Sequence, residues 1–277
     1  MDLTKPTTLL IVLLTTIQPG CLRPNEHYEP EDLAPMRPDM YEKPECTQSR
    51  QAMVSIPHGI FLMGSTTEAA EREPNDQAVL SFMLDPTEVT LKKYRVCVDA
   101  GVCTPPATAG GCNWGPTEKD DFPVNCVSYE QATQYCSFLC ARLPTEIEWE
   151  YAARGENSRA YPWGDEPPGR SSKSALCLLN TNCKVAQYVS TLMGSPSVPG
   201  LYDMAGNVWE WTTSAWPCKY PLDRKDPSCG LMTPTERVVR GGYVYSLSAS
   251  SMRSAYRHHL PQASQTAYVG FRCARSL

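Results

Sequence analysis

Gly200-Leu-Tyr-Asp-Met-Ala-Gly-Asn-Val-Trp-Glu-Trp-Thr212 packs two tryptophans, two carboxylates and a Gly-Asn turn into one short stretch. Asp203 and Glu210 flank Gly206-Asn207. Glycine tolerates positive φ, and asparagine tolerates it better than most residues, so the chain bends sharply there. The bend gathers two carboxylates and several backbone carbonyls around one point. Such oxygen chemistry suits a hard cation, since Ca²⁺ takes about six to eight oxygen ligands from carboxylates, carbonyls and water. The competing reading is a turn whose tryptophans enter the core while its acids face water.

Outward from this stretch, helix-start signals come first. Thr145-Glu-Ile-Glu148 and Ser128-Tyr-Glu-Gln131 are capping boxes. The first opens a helix that runs through Trp149 and Ala153 to a stop at Gly155. The second opens a helix with Ala132, Cys136 and Leu139 on one face. Thr90 caps another helix, through Val98, that ends at Gly101. The acids of Glu146-Ile-Glu-Trp-Glu150 are read as first-turn carboxylates favoured by the helix dipole rather than as catalytic acids. Met53–Pro57 and Gly59–Gly64 read as two strands joined by a turn, Ala78–Leu84 as one further strand, and the segments near 237–242, 243–256 and 268–273 as short strands between loops.

The chain has 277 residues, enough for one large domain or two small ones. With no internal repeat and no linker after residue 46, one domain over 46–277 is expected. The 25 prolines and 17 glycines predict a loop-rich fold rather than a helical bundle. The net charge of -5 and the absence of basic runs argue against nucleic acid as a partner.

Residues 1–21 have the layout of an export signal: Lys5, an apolar run from Leu9 to Ile17, then small residues before Cys21. The run is shorter than the roughly twenty apolar residues that span a bilayer. Gly20-Cys21 suggests a lipoprotein site, although Gln18 and Pro19 stand where an aliphatic and a small residue are usual, and ordinary cleavage nearby is the alternative. Residues 22–45 are charged, proline-studded and aperiodic, as in a semi-extended tether. The expected location is therefore an outer- or inner-membrane-anchored lipoprotein, or a periplasmic or extracellular protein. Setting Cys21 aside, 12 of the 13 cysteines remain, an even set that reads as a disulfide framework in an exported chain. No C-x-x-C pair is present, and four histidines make a zinc site a poor explanation.

Several motifs, in order, resemble the formylglycine-generating enzyme (sulfatase-modifying factor) family. They are Gly59-x-Phe-x-Met-Gly-Ser65, Glu88-Val-Thr90, Arg142-Leu-Pro-Thr-Glu-x-Glu-Trp-Glu-Tyr-Ala-Ala-Arg-Gly155, Tyr161-Pro-Trp-Gly164, the stretch from Gly200 to Trp211, Arg240-Gly-Gly242 and Gly270-Phe-Arg-Cys273. The resemblance covers residues 50 to 275. It implies an α+β fold related to C-type lectins, loop-rich and, in this chain, disulfide-rich. It also implies a calcium site built from the side chains of Asp203 and Glu210 and the carbonyls of Gly206 and Val208. A family disulfide would fall on Cys136 and Cys273. By proximity, Cys97 with Cys103, Cys177 with Cys183 and Cys218 with Cys229 would be local additions.

One departure bears on activity. Enzymes of this family carry two cysteines after Arg-Gly-Gly that bind copper and oxidise a substrate cysteine with molecular oxygen. Here those positions fall on Ser246 and Ser251. Cu(I) selects soft thiolates, and a serine hydroxyl is neither soft nor readily ionised at neutral pH, so copper is not expected. Adjacent His258 and His259 point to opposite faces of a strand and cannot easily share a metal. The sequence therefore predicts an exported binding or accessory module whose partner is a protein, peptide or glycan, with a lipid anchor to the membrane. The alternative is an oxidoreductase or modifying enzyme of the same superfamily, acting on a substrate cysteine through a rearranged site.

Overall fold

Every predicted helix starts at its predicted cap. The computed structural model describes residues 53–67, 74–115, 117–168, 198–216, 235–243 and 248–277, all within the compact unit Pro38–Leu277. Helix α1 spans Leu91–Asp99, and the Thr90 hydroxyl accepts from the Lys93 amide. Helix α2 spans Tyr129–Phe138 and helix α3 spans Glu146–Arg154, each opened by a complete capping box. A cap of this kind contributes about 1 kcal/mol by satisfying amides that the first helical turn leaves without partners. Gly155 closes α3 at φ 64°. Among the described residues no helix is long and apolar enough to cross a membrane.

The strands are β1 Val54–Ile56, β2 Gly59–Met63, β3 Asn75–Val79, β4 Phe82–Leu84, β5 Trp209–Ala215, β6 Glu236–Arg240, β7 His258–Pro261, β8 Val269–Gly270 and β9 Ala274–Ser276. They form an antiparallel sheet ordered β1-β4-β9, a β2-β3 hairpin, and a sheet ordered β7-β6-β5-β8 in which only the β5-β8 pair is parallel. This is the α+β, loop-rich architecture expected.

One local reading needs correction. The two strands expected either side of Pro57-His58 are present, each joining a different sheet: β1 pairs β4, and β2 pairs β3. Ala78–Leu84, by contrast, is not one strand. It breaks at Leu80-Ser81, with Leu80 86% exposed between buried Val79 and Phe82. Both breaks have one cause, since the chain serves two sheets and must step between them twice. The His58 amide donates to the Ser81 hydroxyl at 2.9 Å, fastening the two crossings together.

The core divides around these sheets. Trp211, fully buried, donates its indole N–H to the Val127 carbonyl at 3.0 Å, and Tyr94 of α1 stacks on Tyr135 of α2 with Phe271 edge-on to both, at centroid distances of 5.4 to 6.3 Å. Against the other face, Trp149 of α3 packs with Ile56, Phe61, Leu84 and Met204. The C-terminal strand β9 lies against β4, which carries Cys273 to α2, where it bonds Cys136. Cys97–Cys103 is also present as expected. Cys112–Cys126 is an additional bond, closing the loop between α1 and α2, and Cys140 is disulfide-bonded as well. The proposed signal segment and tether, together with Cys46, Cys177, Cys183, Cys218 and Cys229, lie outside the described residues.

Cys136 and Cys273 are 137 residues apart, so their bond constrains a very long loop in the unfolded chain. Replacing both with alanine is expected to lower unfolding free energy by about 2–5 kcal/mol, read from the urea midpoint under non-reducing conditions. An unchanged midpoint would mean that the bond is dispensable.

Candidate functional site

Gly200–Thr212 forms a left-handed turn that runs into strand β5. Asp203, Gly206 and Asn207 have φ of 56°, 86° and 59°. The Gly206 amide donates to the Gly241 carbonyl and the Trp209 amide to the Tyr268 carbonyl, each at 2.8 Å. These bonds pin the turn between Arg240-Gly-Gly242 and β8. Glu210, in β5, is completely buried. Its Oε2 accepts from Trp149 Nε1 at 2.8 Å and from Arg272 Nε at 2.7 Å, while its Oε1 accepts from Arg272 Nη2 at 2.7 Å. Arg272 also donates to the carbonyls of Asp85, Pro86, Tyr202 and Asp203 at 3.0 to 3.3 Å. One buried guanidinium therefore organises four separate segments.

A third carboxylate joins this group. Glu88, between β4 and α1, is 0% exposed, and neither of its oxygens has a hydrogen-bond partner. Asp203 Oδ2 is likewise buried without a partner. Burial, reinforced by Asp203 and Glu210, holds the Glu88 carboxyl well above the usual carboxylate range. Burial pushes Asp203 up to about 6, with Arg272 opposing and Glu210 adding to the shift. Sequence reading selected Asp203 and Glu210, and the structure brings both to Arg272. It missed Glu88 as a site residue. The available signal was a glutamate placed directly before the Val-Thr that enters α1, with no basic residue among its neighbours in sequence.

The donor set can be tested against a cation. Around Arg272 stand Glu88, Asp203 and Glu210, and the first two carry buried oxygens with no hydrogen-bond donor. All are hard oxygen donors, and the surplus of carboxylates over guanidinium is of the sign a divalent cation would neutralise. Among the described residues, no three His, Cys, Asp or Glu side chains are grouped so as to hold a metal by themselves. A cation at this turn must therefore draw on backbone carbonyls as well. Ca²⁺ accepts such a mixed set; Asp203 Oδ2 has no hydrogen-bond partner, whereas both Glu210 oxygens are already engaged by Arg272 and Trp149.

The remaining candidates separate. Ser251 lies on a single 3₁₀ turn, Ala249–Met252, capped by Ser248, and its hydroxyl donates to the Ser248 carbonyl at 2.8 Å. That turn is seated on Gly242, where a Cβ would meet the Ser251 carbonyl at 2.9 Å. Ser246 lies outside the described residues. His258 faces Trp209 at 5.3 Å, whereas His259 stacks on Trp216 at 4.2 Å and lies 3.1 Å from Glu236. The two imidazoles thus engage different partners.

Glu146 is a first-turn acid of α3, as expected, and the structure adds a further role, since Glu146 and Glu150 are both 1% exposed. Glu146 accepts from Arg257 Nε at 2.5 Å and lies 3.4 Å from Arg240. Glu150 accepts from Arg154 at 2.7 Å, from the Gly64 amide at 2.8 Å and from Arg240. One face of α3 meets β6, so these acids clamp Arg240-Gly-Gly242 in place.

Replacing Arg272 with methionine would leave Glu88, Asp203 and Glu210 buried without their counter-ion. The variant is expected to lose about 3–5 kcal/mol in urea unfolding. The Arg272→Met/Glu210→Gln double variant should recover part of that loss, because the two side chains form one buried pair. Strictly additive losses would show that the pair is not coupled.

Comparison with known proteins gives a consistent result. Residues 39–277 match the sulfatase-modifying factor enzyme 1-like domain. The formylglycine-generating enzyme of Thermomonospora curvata is 30% identical over 293 aligned positions, covering 81% of this chain and 93% of that protein. The formylglycine-generating enzyme of Mus musculus is 33% identical over 276 positions, covering 80% of this chain and 74% of that one. Among solved structures, PvdO from Pseudomonas aeruginosa superimposes with a TM-score of 0.64 at 26% identity, covering 81% of this chain and 94% of its own.

Proposed function

Because the chain belongs to the sulfatase-modifying factor enzyme 1-like family, we propose that it is an exported member without formylglycine-generating oxidation, acting as a binding or accessory module. The observation that carries this reading is the pair of serines, Ser246 and Ser251, at the positions of the family's copper-binding cysteines. Hard hydroxyls do not replace soft thiolates as Cu(I) ligands. The environment of Ser251 supports it further: its hydroxyl is spent on closing a 3₁₀ turn, and among the described residues no histidine or acid is hydrogen-bonded to it. A nucleophilic serine needs such a base.

Export is supported by the leader-like N-terminus and by the bonds Cys97–Cys103, Cys112–Cys126 and Cys136–Cys273, since disulfides persist in oxidising compartments. Cys21 is the proposed point of lipid attachment, with residues 22–45 as the tether. The ligand is an exported protein, peptide or glycan, recognised by loops on a scaffold that the Arg272 and Arg240 clusters keep rigid.

Within this reading the Asp203–Glu210 turn is a structural calcium site. Side-chain oxygens of Asp203 and Glu210 and the carbonyls of Gly206 and Val208 are the ligands, with Glu88 a further buried carboxyl group beside them. The ion would brace the turn and neutralise buried carboxylates; it has no part in chemistry.

Two measurements test these assignments. Purified protein incubated with copper, oxygen and a cysteine-bearing sulfatase-motif peptide is expected to yield no aldehyde by mass spectrometry beyond the no-protein control. Conversion well above that control would instead establish the alternative, a modifying enzyme with a rearranged site. For the cation, Ca²⁺ at 100 times its Kd should stabilise the fold by about 2.7 kcal/mol, a rise of roughly 5–10 °C in Tm over the EDTA-treated protein. Equal midpoints with EDTA and with Ca²⁺ would remove calcium from the account.

A further inference from the structure

A cavity of about 210 Å³ opens beside the Ser251 turn, between the end of β2, the C-terminus of α3 and the segment that follows Met252. Its polar lining is Ser65, Thr67, Arg154, Ser158, Asp165 and Arg253, and its remaining walls are two alanines. An apolar ligand would find no large hydrophobic surface there. We propose that this cavity binds a carboxylate group, carried by a small organic acid or by the C-terminus of a peptide.

Arg154 is 6% exposed. Its guanidinium is held in one orientation by Nε to the Arg159 carbonyl at 3.2 Å, by Nη1 to the Gly64 carbonyl at 2.9 Å and to Glu150 at 2.7 Å, and by Nη2 to the Ser158 carbonyl at 2.6 Å. An arginine has five N–H donors, so these bonds leave one Nη2 hydrogen on a side chain that lines the cavity. A preorganised guanidinium loses little entropy on binding a carboxylate, which is why arginine is favoured for this task. The second donor comes from the Ser65–Thr67 pair. The Thr67 amide donates to Ser65 Oγ at 3.1 Å, and the two hydroxyls are 2.8 Å apart. Only one of the two can donate to the other, so one O–H remains for a ligand. Arg253 adds a second guanidinium to the wall, and its amide bond to the Ser250 carbonyl at 3.2 Å ties it to the Ser251 turn.

Asp165 sets the ligand's charge. Its Oδ1 accepts from the Ala160 amide at 2.9 Å, which keeps a carboxylate at the rim. A second negative charge on the ligand would meet this group. The pocket therefore favours a monoanionic carboxylate over phosphate, which carries about -1.5 to -2 near neutral pH. The volume is that of roughly seven water molecules, room for one small acid or one terminal residue. This site is separate from the calcium turn, and it stands whether or not the chain oxidises a cysteine.

Calorimetric titration of the full chain at constant ionic strength tests the proposal with four probes: acetate, inorganic phosphate, triglycine, and triglycine amide. Wild type is expected to bind acetate or triglycine saturably, to bind phosphate more weakly, and to bind the amide not at all. Triglycine tighter than acetate identifies a peptide terminus as the source, and the reverse order a small acid. Asp165→Asn keeps the acceptor for the Ala160 amide and removes the rim charge, so it should tighten carboxylate binding by about two- to fivefold and narrow the gap to phosphate. Thr67→Val should weaken it by about three- to tenfold. Opposite shifts from two exposed substitutions are not produced by a general loss of structure. No saturable carboxylate binding, phosphate bound more tightly than carboxylate by wild type, or an Asp165→Asn variant that binds no more tightly would each overturn the proposal.

Discussion

The buried pair of Arg272 and Glu210 is the constraint on which the rest of the structure depends. Both side chains are out of water, and their contact is bidentate at 2.7 Å. Removing such charges from solvent costs several kcal/mol per ion, which is offset only when geometry and further hydrogen bonds are nearly complete. Here they are: Trp149 completes Glu210, and the carbonyls of Asp85, Pro86, Tyr202 and Asp203 complete Arg272. The requirement fixes the positions of segments far apart in sequence. The β4–α1 connection, the left-handed turn, β5 and the approach to β9 must all be in place before either charge is stable.

A second buried network repeats the logic with the opposite sign at its centre. Glu146 and Glu150, on one face of α3, hold Arg240, Arg154 and Arg257. The first cluster is rich in carboxylates and the second in guanidinium groups. Trp149 lies between them on α3, donating to Glu210 while Arg240 sits 5.6 Å over its ring. The turn proposed for calcium and the Arg240-Gly-Gly242 segment are thereby braced on the same helix. The cavity proposed for a carboxylate adjoins the second network, because Arg154, paired with Glu150, also lines it.

Much of this was legible in the chain. Capping boxes at Ser128 and Thr145 depend on contacts within four residues, and both form. The ordered motifs, including Gly206-Asn207 and Arg240-Gly-Gly242, carry the fold family because their conformations are demanding locally: left-handed backbone at Asn207 and at both glycines. The sequence was less informative about strands. Nothing in Met53–Gly64 or Ala78–Leu84 tells which sheet each half joins, since strand pairing is settled by partners far along the chain.

Sequence by itself therefore determined the helices, the turn and the family, all of which rest on residue identity and short-range geometry. Tertiary structure alone decided that Glu88 stands with Asp203 and Glu210, that Glu146 and Glu150 are buried counter-ions of Arg240, Arg154 and Arg257, and that Arg154 and Thr67 line one cavity. Each of those facts depends on desolvation and charge pairing between segments tens to hundreds of residues apart. Hydrophobic pattern and propensity carry no record of such partners, because a buried charge is acceptable only through the particular group that the fold brings to meet it.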